Sequence, residues 1–135
     1  MIALVDTSVW SLALRRRQVQ PSPESRELAE LIREGRARII GPVRQELLSG
    51  AKGTVQFENL RQHLRGFPDT ELETADYELA ADFFNRCRNR GIQGSNTDFL
   101  ICAVAARRQQ SVFTTDGDFA KFAKIIPVQL HVPRA

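Results

Sequence analysis

The stretch Met1-Ile2-Ala3-Leu4-Val5-Asp6-Thr7-Ser8-Val9-Trp10 decides the fold. Four apolar residues run unbroken from Ile2 to Val5 and then meet an acid. Such a run, closed by polar residues, predicts a strand buried on both faces, as in parallel sheets. Thr7 or Ser8 can cap a short helix carrying Val9, Trp10, Leu12 and Leu14. A carboxylate ending a central strand is costly unless something pairs with it, which makes Asp6 the first candidate functional residue.

Beyond this stretch, short apolar runs alternate with amphipathic ones. Arg15-Arg16-Arg17 to Pro23 reads as a loop, and Ser22-Pro23-Glu24-Ser25 opens a helix with Ser22 as cap, ended by Gly35. Arg38-Ile39-Ile40 predicts a second strand, and Pro42 starts a helix holding Val43, Glu46 and Leu47. A helix over 55–64 follows, then an edge strand at Thr70-Glu71-Leu72 and a helix capped by Thr74 that ends near Gly91. The segment from Asp98 to Arg107 is apolar nearly all round, so it should be a buried helix. Ser111 to Thr114 predicts a strand, Phe119 to Ala123 a short helix, and Val128-Gln129-Leu130 the last strand. Strands alternating with helices imply an α/β sandwich with a parallel sheet, since parallel neighbours need a crossover between them.

With 135 residues, the chain is expected to be one domain, 1–135, large enough to bury a core without staples. Only Cys87 and Cys102 are present, too few for a disulfide scaffold or a zinc cluster, and both read as small buried hydrophobes. A reducing, cytoplasmic setting fits. The N-terminus lacks a basic region, so no signal peptide is expected. The longest apolar run, Phe99 to Ala106, is far short of a membrane span. The net charge of +3 hints at a polyanionic partner, and the surplus grows if a cation neutralises some of the acids.

Four acids stand out by placement. Ligands of open parallel sheets bind beyond the carboxyl ends of the strands. Asp6 follows the first strand, Asp116 follows the Val112 strand, and Glu46 lies in a helix that starts at the same rim. Asp98 sits in the first turn of the buried helix, a place topology forces less. Each acid alone has a local reading as a cap, dipole partner, solvated side chain or turn former. Together they are converging hard oxygen donors without a His or Cys cluster, which suits Mg²⁺ or Mn²⁺.

Val5-Asp6-Thr7-Ser8-Val9-Trp10, Pro42-Val43-Arg44-Gln45-Glu46-Leu47, Asn96-Thr97-Asp98-Phe99-Leu100-Ile101 and Thr114-Thr115-Asp116-Gly117-Asp118-Phe119 resemble, in order and spacing, the PIN-domain ribonucleases, and among them the VapC toxins of bacterial toxin–antitoxin pairs. The resemblance spans the whole chain. It implies a three-layer sandwich whose five-stranded parallel sheet, order 3-2-1-4-5, is flanked by helices. It also implies an endoribonuclease that uses one or two Mg²⁺ or Mn²⁺ ions to activate water. By the same resemblance Asp6, Glu46, Asp98 and Asp116 are the catalytic acids and metal ligands. Asp118 occupies a place where the family sometimes supplies a further acid, with capping of the Phe119 helix as its other reading. Thr7 and Thr114 are expected to assist by hydrogen bonding. A VapB-type antitoxin and a second copy of the chain are the implied protein partners, the former gripped by the helices between Ser22 and Leu64.

Arg15, Arg16 and Arg17 are candidate contacts to RNA phosphates, with a solvated loop as the alternative. Trp10, beside Val9 and Leu14, reads as core. His63 and His131 both fall away from the acidic rim, which argues against a metal-independent His pair. A phosphatase with a nucleophilic aspartate would need a second acid two residues after Asp6, where this chain has Ser8. A PIN-like module that binds without cutting is the third reading, and the presence of all four acids argues against it.

Overall fold

Ala3, Leu4 and Val5 form strand β1 (Ala3–Val5), and their side chains are completely buried. The computed structural model describes residues 1–14 and 21–134. Strand β2 (Ala37–Arg38) lies on one side of β1 and β3 (Ser111–Phe113) on the other, both parallel to it. Ala3 stands opposite Ala37 and Ser111, and Leu4 opposite Arg38 and Val112. At the edges the sheet continues as single parallel bridges, Ile39 with Asp69 and Val112 with Leu130. The expected order 3-2-1-4-5 is therefore present, but its outer members are one bridge long rather than strands over 70–72 and 128–130. Pro68 has no N–H to donate beside the first of these, and the Asp69 carboxylate is engaged by Arg44 at 2.9 Å.

The helices are α1 (Thr7–Ala13), α2 (Pro23–Arg33), α3 (Gly41–Ser49), α4 (Gly53–Leu64), α5 (Thr74–Asn89), α6 (Asn96–Arg107) and α7 (Asp118–Phe122). The β1-to-β2 and β2-to-β3 connections run in opposite directions across the sheet, so right-handed crossovers place helices on both faces. Among the described residues no helix is long and apolar enough to cross a membrane.

Local signals set most helix ends. Ser22 Oγ accepts from Ser25 N–H at 3.1 Å, as the sequence pattern requires. Gly35, at φ +70°, closes α2 by letting Arg36 N–H donate back to Leu31 O at 2.8 Å. Helix α5 departs from expectation. Glu73, not Thr74, holds the cap position, and Asp76 Oδ2 accepts the Glu73 N–H at 2.8 Å. Helix α6 starts two residues before Asp98, behind Ser95. Trp10 is core, its ring centroid 5.1 Å from that of Phe67. Cys87 and Cys102 are buried free thiols. Leu64 is fully buried and Leu60 packs on the core, so both serve the fold itself.

Asp76 also locks α5 to α6. Its buried carboxylate accepts from Arg107 at 2.8 Å and from Arg108 at 2.7 and 2.9 Å. At the far end of the same antiparallel pair, Phe84 meets Phe99 edge-on at 5.3 Å. The arginine hydrogen bonds, chiefly those of Arg108, hold the Asp76 carboxyl well below its ordinary value. A carboxylate depressed in the folded state stabilises above the unfolded pKa, and that stability is lost as pH falls below it. Asp76→Ala should therefore cost about 3 kcal/mol at pH 7 in urea denaturation. The gap from wild type should narrow on acidification below about pH 4. Equal midpoints at pH 7 would refute the clamp.

Candidate carboxylate site

Asp6 ends β1 and occupies the cap position of α1, with φ −74° and ψ 157°. Its residue type and backbone suit capping, yet its side chain makes no cap bond. Ser8 Oγ and Thr114 Oγ1 instead donate to the same oxygen, Oδ2, at 2.9 and 2.8 Å. The Asp6 N–H donates to Phe113 O at 2.8 Å, tying the exits of β1 and β3 together. Asp6 is only 6% exposed, so these hydroxyls supply much of what water would otherwise provide.

The loop after β3 is built on the same bonds. Thr114 Oγ1 accepts from Asp116 N–H at 2.9 Å, and Asp116 Oδ1 accepts from Asp118 N–H at 2.9 Å. Asp118 is the first residue of α7, behind the cap position Gly117, so it does not cap that helix, and its own N–H is taken by Asp116 Oδ1. The Asp118 side chain lies 3.5 Å from Lys121. Phe119 and Phe122 anchor α7 in the core, and Phe122 packs on Phe99 with centroids 4.6 Å apart. That contact draws the Asp116 loop toward the start of α6.

Asp98 is held there by a reciprocal cap. Its N–H donates to Ser95 Oγ at 3.0 Å, and its Oδ2 accepts from Ser95 N–H at 3.2 Å. Gly94, just before this cap, lies flat against the aromatic cluster. A Cβ there would stand 2.5 Å from Phe122 Cζ and 3.0 Å from Phe99 Cε2. Burial raises the Asp98 carboxyl above its ordinary value, the Ser95 bonds oppose this, and the charges of Asp6 and Asp116 raise it further. Asp98 thus lies within reach of the charges of Asp6 and Asp116. Beneath them the Cys102 thiol is pushed far up, first by burial, then by the charges of Asp98, Cys87 and Asp6. It stays neutral and offers no thiolate ligand.

Glu46 is exposed on α3, and its Oε2 accepts from Thr7 Oγ1 at 3.0 Å. Thr7 thereby ties α3 to the first turn of α1. Ser8, absent from the expected site residues, is the bonding partner that sequence reading missed. Its only outward signal is its place two residues after Asp6. The two histidines are engaged elsewhere than with Asp6, Glu46, Asp98 or Asp116: His63 lies against Phe67, and His131 Nε2 is 2.5 Å from Glu27 Oε2. Arg15, Arg16 and Arg17 lie outside the described residues.

Among the described residues no three His, Cys, Asp or Glu side chains form a ready-made metal cage. The chemistry of the donors still fits Mg²⁺ or Mn²⁺: carboxylates only, mutually repelling, with one of them resisting ionisation. A parallel sheet with acids beyond two adjacent strand ends, where the strand order reverses, defines an acid-rimmed α/β domain. The chain belongs to the PIN domain family, whose profile matches residues 3–125.

Solved structures of similar shape include FitAcB from Neisseria gonorrhoeae, with TM-score 0.76, 22% identity and 98% of each chain covered. VapBC2 from Rickettsia felis, bound to a DNA fragment from their promoter, gives TM-score 0.73 and 18% identity, covering 97% of this chain and 98% of that one. VapBC-1 from nontypeable Haemophilus influenzae gives 0.73 and 16%, with 97% of each covered. At these identities the likeness is one of fold. A comparison with curated proteins finds no match.

The raised Asp98 carboxyl has a stability consequence. The folded state binds this proton more tightly than the unfolded chain, so the contribution of Asp98 alone is most favourable in acid and declines as pH rises through its folded-state pKa, opposite in sign to that of Asp76. Asp98→Asn keeps an acceptor for the Ser95 N–H and removes the charge. Without added metal it should raise the melting temperature at pH 7 by a few degrees, on the order of 0.5–1 kcal/mol for this partly solvated group. The gain should fade toward pH 4. A lower melting temperature at pH 7 would contradict the raised Asp98 carboxyl.

Proposed function

We propose that this chain is a Mg²⁺- or Mn²⁺-dependent endoribonuclease, the toxin half of a VapBC-type toxin–antitoxin pair. The observation that carries this is the joining of the β1 and β3 exits, where Thr114 bonds both the Asp6 carboxylate and the Asp116 N–H at the reversal point of the sheet, with Asp98 near enough to feel both charges. Membership of the PIN domain family supports a nuclease, and the VapBC and FitAcB likenesses support an antitoxin as partner.

Asp6, Asp98 and Asp116 would hold the metal, with Glu46 as a further ligand or as the group that orients water. When bound, the metal supplies an activated water and neutralises charge on the phosphodiester. The residues of the chain do the arranging. Thr7 holds Glu46 toward α1, Ser8 and Thr114 fix Asp6, and the Ser95 cap fixes Asp98. The net positive charge suits RNA as substrate. A second copy of the chain is the expected partner in a homodimer. Since no three His, Cys, Asp or Glu side chains among the described residues are grouped to hold an ion as they stand, a PIN-like module that binds RNA or protein without cutting is the second reading.

One assay separates them: cleavage of RNA by wild type and Asp6→Asn, with Mn²⁺ or Mg²⁺ and with EDTA. Wild type should cut only with metal, leaving 5′-phosphate ends. Asp6→Asn should lose about a hundredfold or more in kcat/KM, roughly 2.7 kcal/mol of barrier. No metal-dependent cutting by wild type, or equal cutting by both, would leave the binding module standing.

A further inference from the structure

The side chain of Asp6 is diverted from the task its position invites. Asp is among the best cap residues, and a cap bond contributes about 1 kcal/mol, yet Asp6 makes none. Ser8 sits in the first turn of α1 and donates its proton to Asp6 Oδ2 at 2.9 Å. That leaves its lone pairs to accept the Thr115 N–H at 3.1 Å. Thr114 does the same in mirror fashion, donating to Asp6 Oδ2 at 2.8 Å and accepting the Asp116 N–H at 2.9 Å. Both hydroxyl protons are committed to Asp6, so the 3.3 Å approach of Ser8 Oγ to Thr114 Oγ1 is a contact without a proton of its own.

We infer that Ser8 is a positioning residue for the metal site. It holds Asp6 Oδ2 and the backbone of the 114–116 loop together, so that Asp6 presents Oδ1 alone to a cation. An oxygen already accepting two hydroxyl protons is a poor further donor to a cation, which makes Asp6 a one-oxygen ligand. The same bridge sets the spacing between the β1 exit, which carries Asp6, and the β3 exit, which carries Asp116. Groups of this kind, which hold ligands without touching the metal, typically change metal affinity 10–100-fold when removed. The inference rests on the metal-dependent reading proposed above.

The test is titration calorimetry of the full chain with Mn²⁺ alone, beside melting curves without metal. Ser8→Ala should bind Mn²⁺ about tenfold or more weakly. Ser8→Thr, which restores a hydroxyl, should recover most of the affinity. A purely structural serine would instead lower the metal-free melting temperature and leave Mn²⁺ affinity alone, and that result would overturn the inference. If Ser8→Ala does not fold, Ser8→Cys carries the test: wild-type affinity overturns the inference and weakened affinity supports it. Absence of Mn²⁺ binding by wild type would remove the metal reading and this inference together. Equal binding by wild type and Ser8→Ala removes only the inference.

Discussion

A carboxylate at the end of a fully buried strand has to be satisfied from inside the protein, and the architecture around Asp6 follows from that need. The strand residues Ala3, Leu4 and Val5 are completely buried, so the chain leaves the core at Asp6 with little water to help. The answer comes from the neighbouring strand exit. Phe113 O takes the Asp6 N–H, and Thr114 donates to its carboxylate. The parallel pairing of β1 with β3 is thus both a fold contact and a site contact. A one-residue slip of β3 would flip its side chains to the other face and take Thr114 away from Asp6.

The second constraint is aromatic. Helix α7 has five residues and could not persist alone. It persists because Phe119 and Phe122 are buried in a cluster with Phe99, which lies beside Asp98 in α6. Packing therefore sets how close the Asp116 loop comes to Asp98. The arginine clamp on Asp76 works at the opposite end of α6, holding that helix against α5. Two carboxylates on one helix pair thus have opposite fates. Asp76 is deeply stabilised by cations, and Asp98 is set among other acids with its charge opposed.

Much of the fold was legible in the sequence because its signals are local. The apolar run before Asp6, the Ser22 cap and Gly35 each act within a few residues of themselves. The edges were less legible. Residues 70–72 and 128–130 have strand-like composition, but an edge pairs on one side only, and its extent depends on what the rest of the chain leaves free. Asp76 displaced Thr74 as the organiser of the α5 terminus through arginines more than thirty residues away, which no local pattern encodes. At the site, the rim placement of Asp6, Glu46 and Asp116 followed from topology, whereas the joining of Asp98 to Asp6 and Asp116 depends on the aromatic packing. The role of Ser8 was hidden for a similar reason: one of its partners, the Thr115 N–H, is 107 positions away.

Gly94 turns this dependence into a statement about sequence tolerance. It has no side chain because the edges of Phe122 and Phe99 fill the space where a Cβ would go. An added methyl would push on those rings and on the Ser95 cap next to it, and so on the seat of Asp98 and the loop of Asp116. For the nuclease proposed above, a screen for survivors of its expression would then return changes at position 94 with all four acids intact. Such variants would be silent through steric misalignment, and a wild-type set of acids would be no guarantee of a working one.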